Sequence, residues 1–269
     1  MTFPLLIALT SLPCLLVGAP SHALTLQSDL IQLEPWTIST TNAQGQEKLI
    51  GALPDLLDEF ERRSGYKVNR RITPYARVEA ELEGGLIDFS IMAWGQARAR
   101  YANRGTDFGP LDFGVVFARG TTAQSYEDLY RLPLCTPRGL KVDPRYDVDA
   151  TMQKDLSVDY TTCVKKVVAG HGSVGVAGSV GTIDAIIDKL NVRKSFGGRF
   201  LFRVTTLSVS WSQRAPNNPE EARVNAIFKG MVEDGTYERI THKWFGKHLS
   251  YFPRATSPST KPARKPASR

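Results

Sequence analysis

Two stretches of this 269-residue chain carry residue types at spacings that can do chemistry: GHGSVG at 170–175 and MAWGQAR at 92–98. The first matches GxGxxG, which cradles a pyrophosphate on backbone amides when a strand runs into the glycines and a helix leaves them. Here the order is reversed, since Thr162 to Ala169, with Lys165 and Lys166, reads as helix and Val174 to Ala177 as strand. The same residues nearly spell a GxSxG nucleophile elbow, but His171 stands where the first glycine must be, so Ser173 is a poor nucleophile. His171, His242 and His248 show no HExxH or other ligand spacing, and no cysteine pair is close enough to complete a structural zinc site. Neither a metal nor a cofactor is expected. The second stretch ends in Arg98, whose guanidinium can make two parallel hydrogen bonds to a carboxylate and keeps its charge where water is excluded. The alternative to that ligand role is a solvated helix residue like its neighbour Arg100.

The surrounding elements decide between such readings. Leu53, Leu56, Leu57 and Phe60 recur at helical spacing, with Pro54 tolerable in a first turn and Gly65 available as a stop, so a helix should end near Ser64. Gly65-Tyr66-Lys67-Val68 leads into an extended segment, and Pro74 to Glu83 reads as a second helix stopped by Gly84-Gly85. Ile87 to Trp94 is a compact apolar run suited to a buried parallel strand. Downstream, Asn218 can cap a helix that begins at Pro219 and carries Glu220 and Glu221 against the positive end of its dipole. Its stripe is Val224, Ile227, Phe228 and Met231; Asp234-Gly235 breaks it, and Tyr237, Ile240, Trp244 and Phe245 form a second short helix. Strand and helix alternate, which predicts an α/β layer architecture.

Residues 1–23 stand apart. Phe3 to Val17 is almost unbroken apolar sequence, too short to span a bilayer comfortably, and Ser21-His22-Ala23 offers the small residues a signal peptidase reads. This predicts export with cleavage after Ala23, although the usual basic start is missing. Ser11-Leu12-Pro13 before Cys14 lacks the lipoprotein pattern, and no later stretch is long and apolar enough for a membrane span. The net charge of +7 invites a nucleic-acid reading, but five of those charges (Arg254, Lys261, Arg264, Lys265, Arg269) sit in a Pro/Ser-rich tail. That tail is expected to be disordered, and no nucleic-acid partner is expected. Once Cys14 leaves with the signal, Cys135 and Cys163 remain, and an even pair in an oxidising compartment predicts one disulfide.

A resemblance sharpens this outline. Leu49 to Gly120, with LIGALPDLLDEFERRSGYKV, GLIDFSIMAWGQARARYA and TDFGPLDFG, followed by VNAIFKGMVEDGTYERITHKWFG at Val224 to Gly246, resembles in that order the extracellular solute-binding proteins of family 3. These are two-lobed receptors best known from bacterial amino-acid uptake. The resemblance implies an α/β fold in which each lobe is a mostly parallel sheet flanked by helices, with a two-strand hinge. Lobe one would take residues 24–118 and 207–252, lobe two 119–206, with the basic tail from 253; the crossings would fall near Phe117 to Gly120 and Thr205 to Ser210.

It also implies a site. After the motif Gly85-Leu86-Ile87-Asp88, Arg98 falls where the family's arginine grips the ligand's carboxylate, with Trp94 and Gly95 in the same loop. Two departures matter. Ala93 and Trp94 replace the hydroxyl residue that normally helps hold the carboxylate. The second-lobe stretch Val176 to Gly181 has no acid for an ammonium group, and Ser179 is the candidate there. An unpaired buried ammonium is costly, so a standard α-amino acid held in the usual way is doubtful. Trp36 and Tyr75 would offer flat faces to an anionic or zwitterionic ligand, and Thr136, Arg138 and Gly139 would open the second lobe, with Arg138 favouring a dicarboxylate or otherwise anionic solute.

The reading is a monomeric, non-catalytic periplasmic receptor that captures an amino acid or organic acid by hinge closure for a separate membrane permease or sensor. The rival is an exported enzyme on the same fold, such as a dehydratase, with Asp143 or Glu47 as acid or base.

Overall fold

The computed structural model describes residues 24–246. The expected signal peptide with its cleavage after Ala23, and the basic tail, lie outside the described residues. β1 (Thr25–Leu30) is followed by a hairpin of β2 (Ile38–Thr41) and β3 (Glu47–Ile50), then α1 (Ala52–Ser64), β4 (Lys67–Ile72), α2 (Tyr75–Gly84) and β5 (Phe89–Ala93). The long strand β6 (Ala102–Ala118) leads to β7 (Leu134–Pro137), α3 (Pro144–Val148), β8 (Lys154–Ser157), α4 (Tyr160–Ala169), β9 (Gly175–Ser179) and α5 (Val180–Lys189). A second long strand, β10 (Phe196–Ser212), returns to α6 (Glu221–Glu233) and α7 (Thr236–Phe245).

Strand order in the main sheet is β4-β1-β5-β10-β6-β9-β7-β8. β1 runs parallel to β4 and β5, and β7 runs parallel to β8 and β9, so each half is an α/β unit. β6 and β10 are antiparallel to each other and pass through both halves. β5 pairs with β10 only over Leu207–Trp211, and β9 pairs with β6 only over Phe113–Phe117. Between those zones the two long strands pair only with each other, from Pro110 opposite Thr206 to Asp112 opposite Val204. The resemblance implies a first crossing near Phe117 to Gly120. Phe117 instead pairs with Gly175 inside the second lobe, so the crossing comes earlier, over Pro110 to Asp112, beginning at a proline that has no N–H to give a neighbouring strand.

Local sequence accounts for most elements. α1 buries Leu53, Leu56, Leu57 and Phe60 and ends at Gly65, whose left-handed conformation (φ 73°) L side chains adopt rarely. Each of those apolar side chains contributes about 2 kcal/mol through burial, before entropy. Phe60 stacks on Phe228 of α6 at 4.6 Å, so the far end of the chain completes the first lobe. Asp88 ties the same lobe together, accepting from the backbone N–H of Gln27 at 2.7 Å and of Asn217 at 3.0 Å. Asn218 does not cap α6 as expected. Its carboxamide accepts from the Trp211 indole at 2.9 Å, and a short 3-10 turn, Asn218–Glu220, precedes the helix.

In the second lobe Val116, Cys135, Cys163, Val176, Ile183 and Ile187 form a separate core. Cys135 and Cys163 are joined as a disulfide with Cα atoms 5.3 Å apart, fastening β7 to α4 as expected.

Candidate functional site

A cavity of about 770 Å³ lies where the two lobes meet, beside the crossing strands. Its first-lobe wall carries Ile31, Leu33, Trp36, Tyr75, Glu79 and Arg98, and its second-lobe wall carries Phe113, Gly139, Lys141, Asp147, Ser179 and Arg203. The lining is mostly apolar. Gly95 also reaches it, so Trp36, Tyr75, Gly95, Arg98, Gly139 and Ser179 are gathered from widely separated parts of the chain.

Trp94, Thr136 and Arg138 are not among its lining residues. The Trp94 ring sits beneath two guanidiniums, with Arg98 Cζ 5.7 Å and Arg104 Cζ 5.9 Å from its centroid. The buried Thr136 hydroxyl is 2.8 Å from Tyr146 Oη. Arg138 is exposed and borders a smaller cavity of about 300 Å³ at the cleft's edge, with Glu34, Thr37 and Asp159.

The arginine expected to face the ligand is committed inside the protein. Arg98 is only 3% exposed, and its Nε and Nη2 donate as a fork to the two oxygens of Glu79, with Nε–Oε2 at 3.0 Å. Nη2 also donates to Tyr75 Oη at 3.1 Å, and Nη1 donates to the Ala93 carbonyl at 2.9 Å and weakly to Ser210 Oγ at 3.5 Å. Tyr101 donates to Glu79 at 2.6 Å. Burial pushes the Glu79 carboxyl up, but the Arg98 guanidinium and the tyrosine hydroxyls outweigh it and hold the group below the usual carboxylate range. Burial and the adjoining carboxylate push Tyr101 up to about 12. Tyr75 and Glu79 lie one helical turn apart on α2, so they share a face; that i,i+4 acid was the signal available in the sequence for this closed network.

Trp36 has two roles. Its ring packs against Phe245 with centroids 4.6 Å apart, and its Nε1 donates to Thr182 Oγ1 of α5 at 3.1 Å, across the lobes. Lys189 of α5 also pairs with Glu34. Gly51 allows this placement, because a Cβ there would lie 2.4 Å from the Trp36 carbonyl oxygen and its φ is 132°. On the second lobe, Val142 is held from both sides: its N–H donates to Asp147 Oδ1 and its carbonyl accepts from Arg203 Nε, each at 3.0 Å. Burial raises the Asp147 carboxyl, opposed by backbone amides and Lys141.

The enzymatic candidates have structural occupations. Asp143 caps α3, accepting from Arg145 N at 3.0 Å, and Glu47 accepts from Ser39 Oγ on the exposed hairpin. Ser173 donates to Asp155, which Lys166 also holds at 2.7 Å. His171 is exposed, and no group of three or more His, Cys, Asp or Glu able to hold a metal occurs among the described residues.

The profile of the bacterial extracellular solute-binding proteins, family 3, matches residues 32–247. No curated protein matches the chain. Among solved structures, the AvGluR1 ligand-binding domain in complex with phenylalanine superposes with a TM-score of 0.70 at 16% identity, covering 83% of this chain and 96% of that one. A histidine kinase sensor domain with similarity to periplasmic binding proteins gives 0.67 at 17% identity, covering 84% and 96%. A mutant of ArgBP from T. maritima gives 0.67 at 15% identity, covering 82% and 95%. At these identities the likeness is one of fold.

Proposed function

The chain belongs to the bacterial extracellular solute-binding proteins, family 3, a family of non-catalytic binding proteins, and from that premise we propose that it captures a small carboxylate-bearing solute, an amino acid or organic acid. The exported, monomeric chain, cleaved after Ala23, delivers that solute to a separate membrane permease or sensor. The observation that carries this reading is the cavity of about 770 Å³ lined from both lobes, a size typical of small-molecule sites. Function follows from its position beside the two crossing strands. A solute touching both walls stabilises the closed form, and a membrane partner reads that form. Charge supports an anionic solute: Glu79 and Arg98 neutralise each other, while Lys141 and Arg203 outnumber Asp147 on the opposite wall.

A thermal-shift screen of the purified protein against amino acids, organic acids and amines tests this. A solute at a hundred times its Kd stabilises by about 2.7 kcal/mol, which raises the Tm by several degrees. If no small solute moves the Tm, the receptor reading falls.

A further inference from the structure

The second-lobe wall of the cavity is rich in unused donors. Ser179 on β9, Phe113 on β6 and Arg203 on β10 stand directly opposite one another across three adjacent strands, and all three line the cavity. Neighbouring strands are about 4.8 Å apart, so Ser179 and Arg203 flank Phe113 about 10 Å from each other. The Arg203 guanidinium leans over the Phe113 ring, 5.2 Å from its centroid, which shortens the gap between them. Its Nε is spent on the Val142 carbonyl, but its two terminal nitrogens have no acceptor among the described residues.

Ser179 is only 4% exposed and ends a relay that starts in the other lobe. The Trp36 indole, which can only donate, gives its hydrogen to Thr182 Oγ1, and Thr182 donates to Ser179 Oγ at 3.0 Å. The Ser179 proton then has no acceptor among the described residues. α5 begins at the next residue, and Ser179 places no side-chain cap on its first-turn amides. Gly178 holds this corner: Tyr160 Oη lies where its Cβ would be, 1.9 Å away, and accepts the Ser179 backbone N–H at 2.8 Å.

The two carboxylates of the cavity wall are engaged to different degrees. Glu79 is closed by Arg98 and Tyr101, and Asp147 takes the Val142 amide with Lys141 nearby. An ammonium group entering the cavity would meet only Asp147, which already takes the Val142 amide and has Lys141 and Arg203 on the same wall, so its pairing there is poor and costly.

We propose that the cleft is built for an organic monocarboxylate with an apolar body and no ammonium group, its carboxylate held on the second lobe by the Ser179 hydroxyl and Arg203. Its body rests against Ile31, Leu33 and Met92. This rests on the receptor reading and specifies its solute. A carboxylate accepting from Ser179 also strengthens the relay back to Trp36, so occupancy favours the closed arrangement.

Calorimetry on the purified protein with solute pairs that share a body decides it: 3-phenylpropanoate against L-phenylalanine, and 4-methylpentanoate against L-leucine. The deaminated member is expected to bind at least about tenfold tighter, and Ser179→Ala and Arg203→Gln are each expected to weaken it at least about tenfold. Ser179→Asp replaces the donor with an acceptor and should reverse the preference. If Arg203→Gln fails to fold, Arg203→Lys, with charge but no fork, should give intermediate affinity. An amino acid that outbinds its deaminated twin overturns the inference and leaves the receptor reading standing. So does binding unchanged in folded Ser179 and Arg203 variants, or a screen whose binders include neither twin. A screen in which no solute binds overturns both.

Discussion

Glu79→Gln removes the charge that closes Arg98 while keeping the shape of the side chain. The pair is deep: the arginine side chain is 3% exposed and the glutamate 23%. Breaking a buried ion pair from one side costs about 3–5 kcal/mol because the remaining charge is left uncompensated, and the partial exposure of Glu79 places this pair near the lower end, about 3 kcal/mol. For a protein of this size that lowers the Tm by roughly 6–12 °C. The pH dependence has a definite sign. The folded-state pKa of Glu79 is depressed, so its contribution is fully present above the ordinary carboxylate value and is lost as pH falls through the folded one. Urea melts of the parent and the variant should therefore differ by about 3 kcal/mol at pH 7 and converge as pH falls below about 4. The same variant frees the arginine fork. A loss below about 1 kcal/mol, together with tighter carboxylate binding, would refute the argument and restore Arg98 to the ligand-gripping role implied by the resemblance.

Replacing Cys135 and Cys163 together by serine should cost about 3–4 kcal/mol through the freed 28-residue separation, read from urea melts; two free thiols by mass spectrometry of the oxidised protein would contradict the bridge. Trp36→Phe keeps the ring against Phe245 but deletes the inter-lobe donor, so solute affinity should fall about fivefold, or about 1 kcal/mol, with a larger radius of gyration by X-ray scattering. Gly178→Ala forces a Cβ into Tyr160 Oη at φ 155° and should destabilise by roughly 3 kcal/mol or more in thermal melts, part of it recovered by adding Tyr160→Phe.

The elements were legible wherever their cause is local. The 3.6-residue recurrence in α1 and the Gly65 stop need only neighbours in the chain, and so does the helix-then-strand order around Gly170 to Gly175 that excludes a dinucleotide loop. The Cys135–Cys163 bridge followed from a parity argument that needs no coordinates. Asn218 shows where local reading stops. Its composition is right for a cap, but the indole of Trp211 competes for the same oxygen, and that indole is placed by a strand rather than by the helix.

The site separates the two levels further. The resemblance of the sequence to the family brought Arg98, Tyr75, Trp36 and Ser179 forward, and the cavity gathers them. What each does was decided by partners the chain delivers from elsewhere: Glu79 from one face of α2, Thr182 from α5, and Arg203 set beside Phe113 and Ser179 by strand register. A residue type determines which hydrogen bonds a side chain can make, and sequence reports that completely. Which of them it does make depends on separations of about 3 Å between groups far apart along the chain, and only the packed tertiary structure sets those.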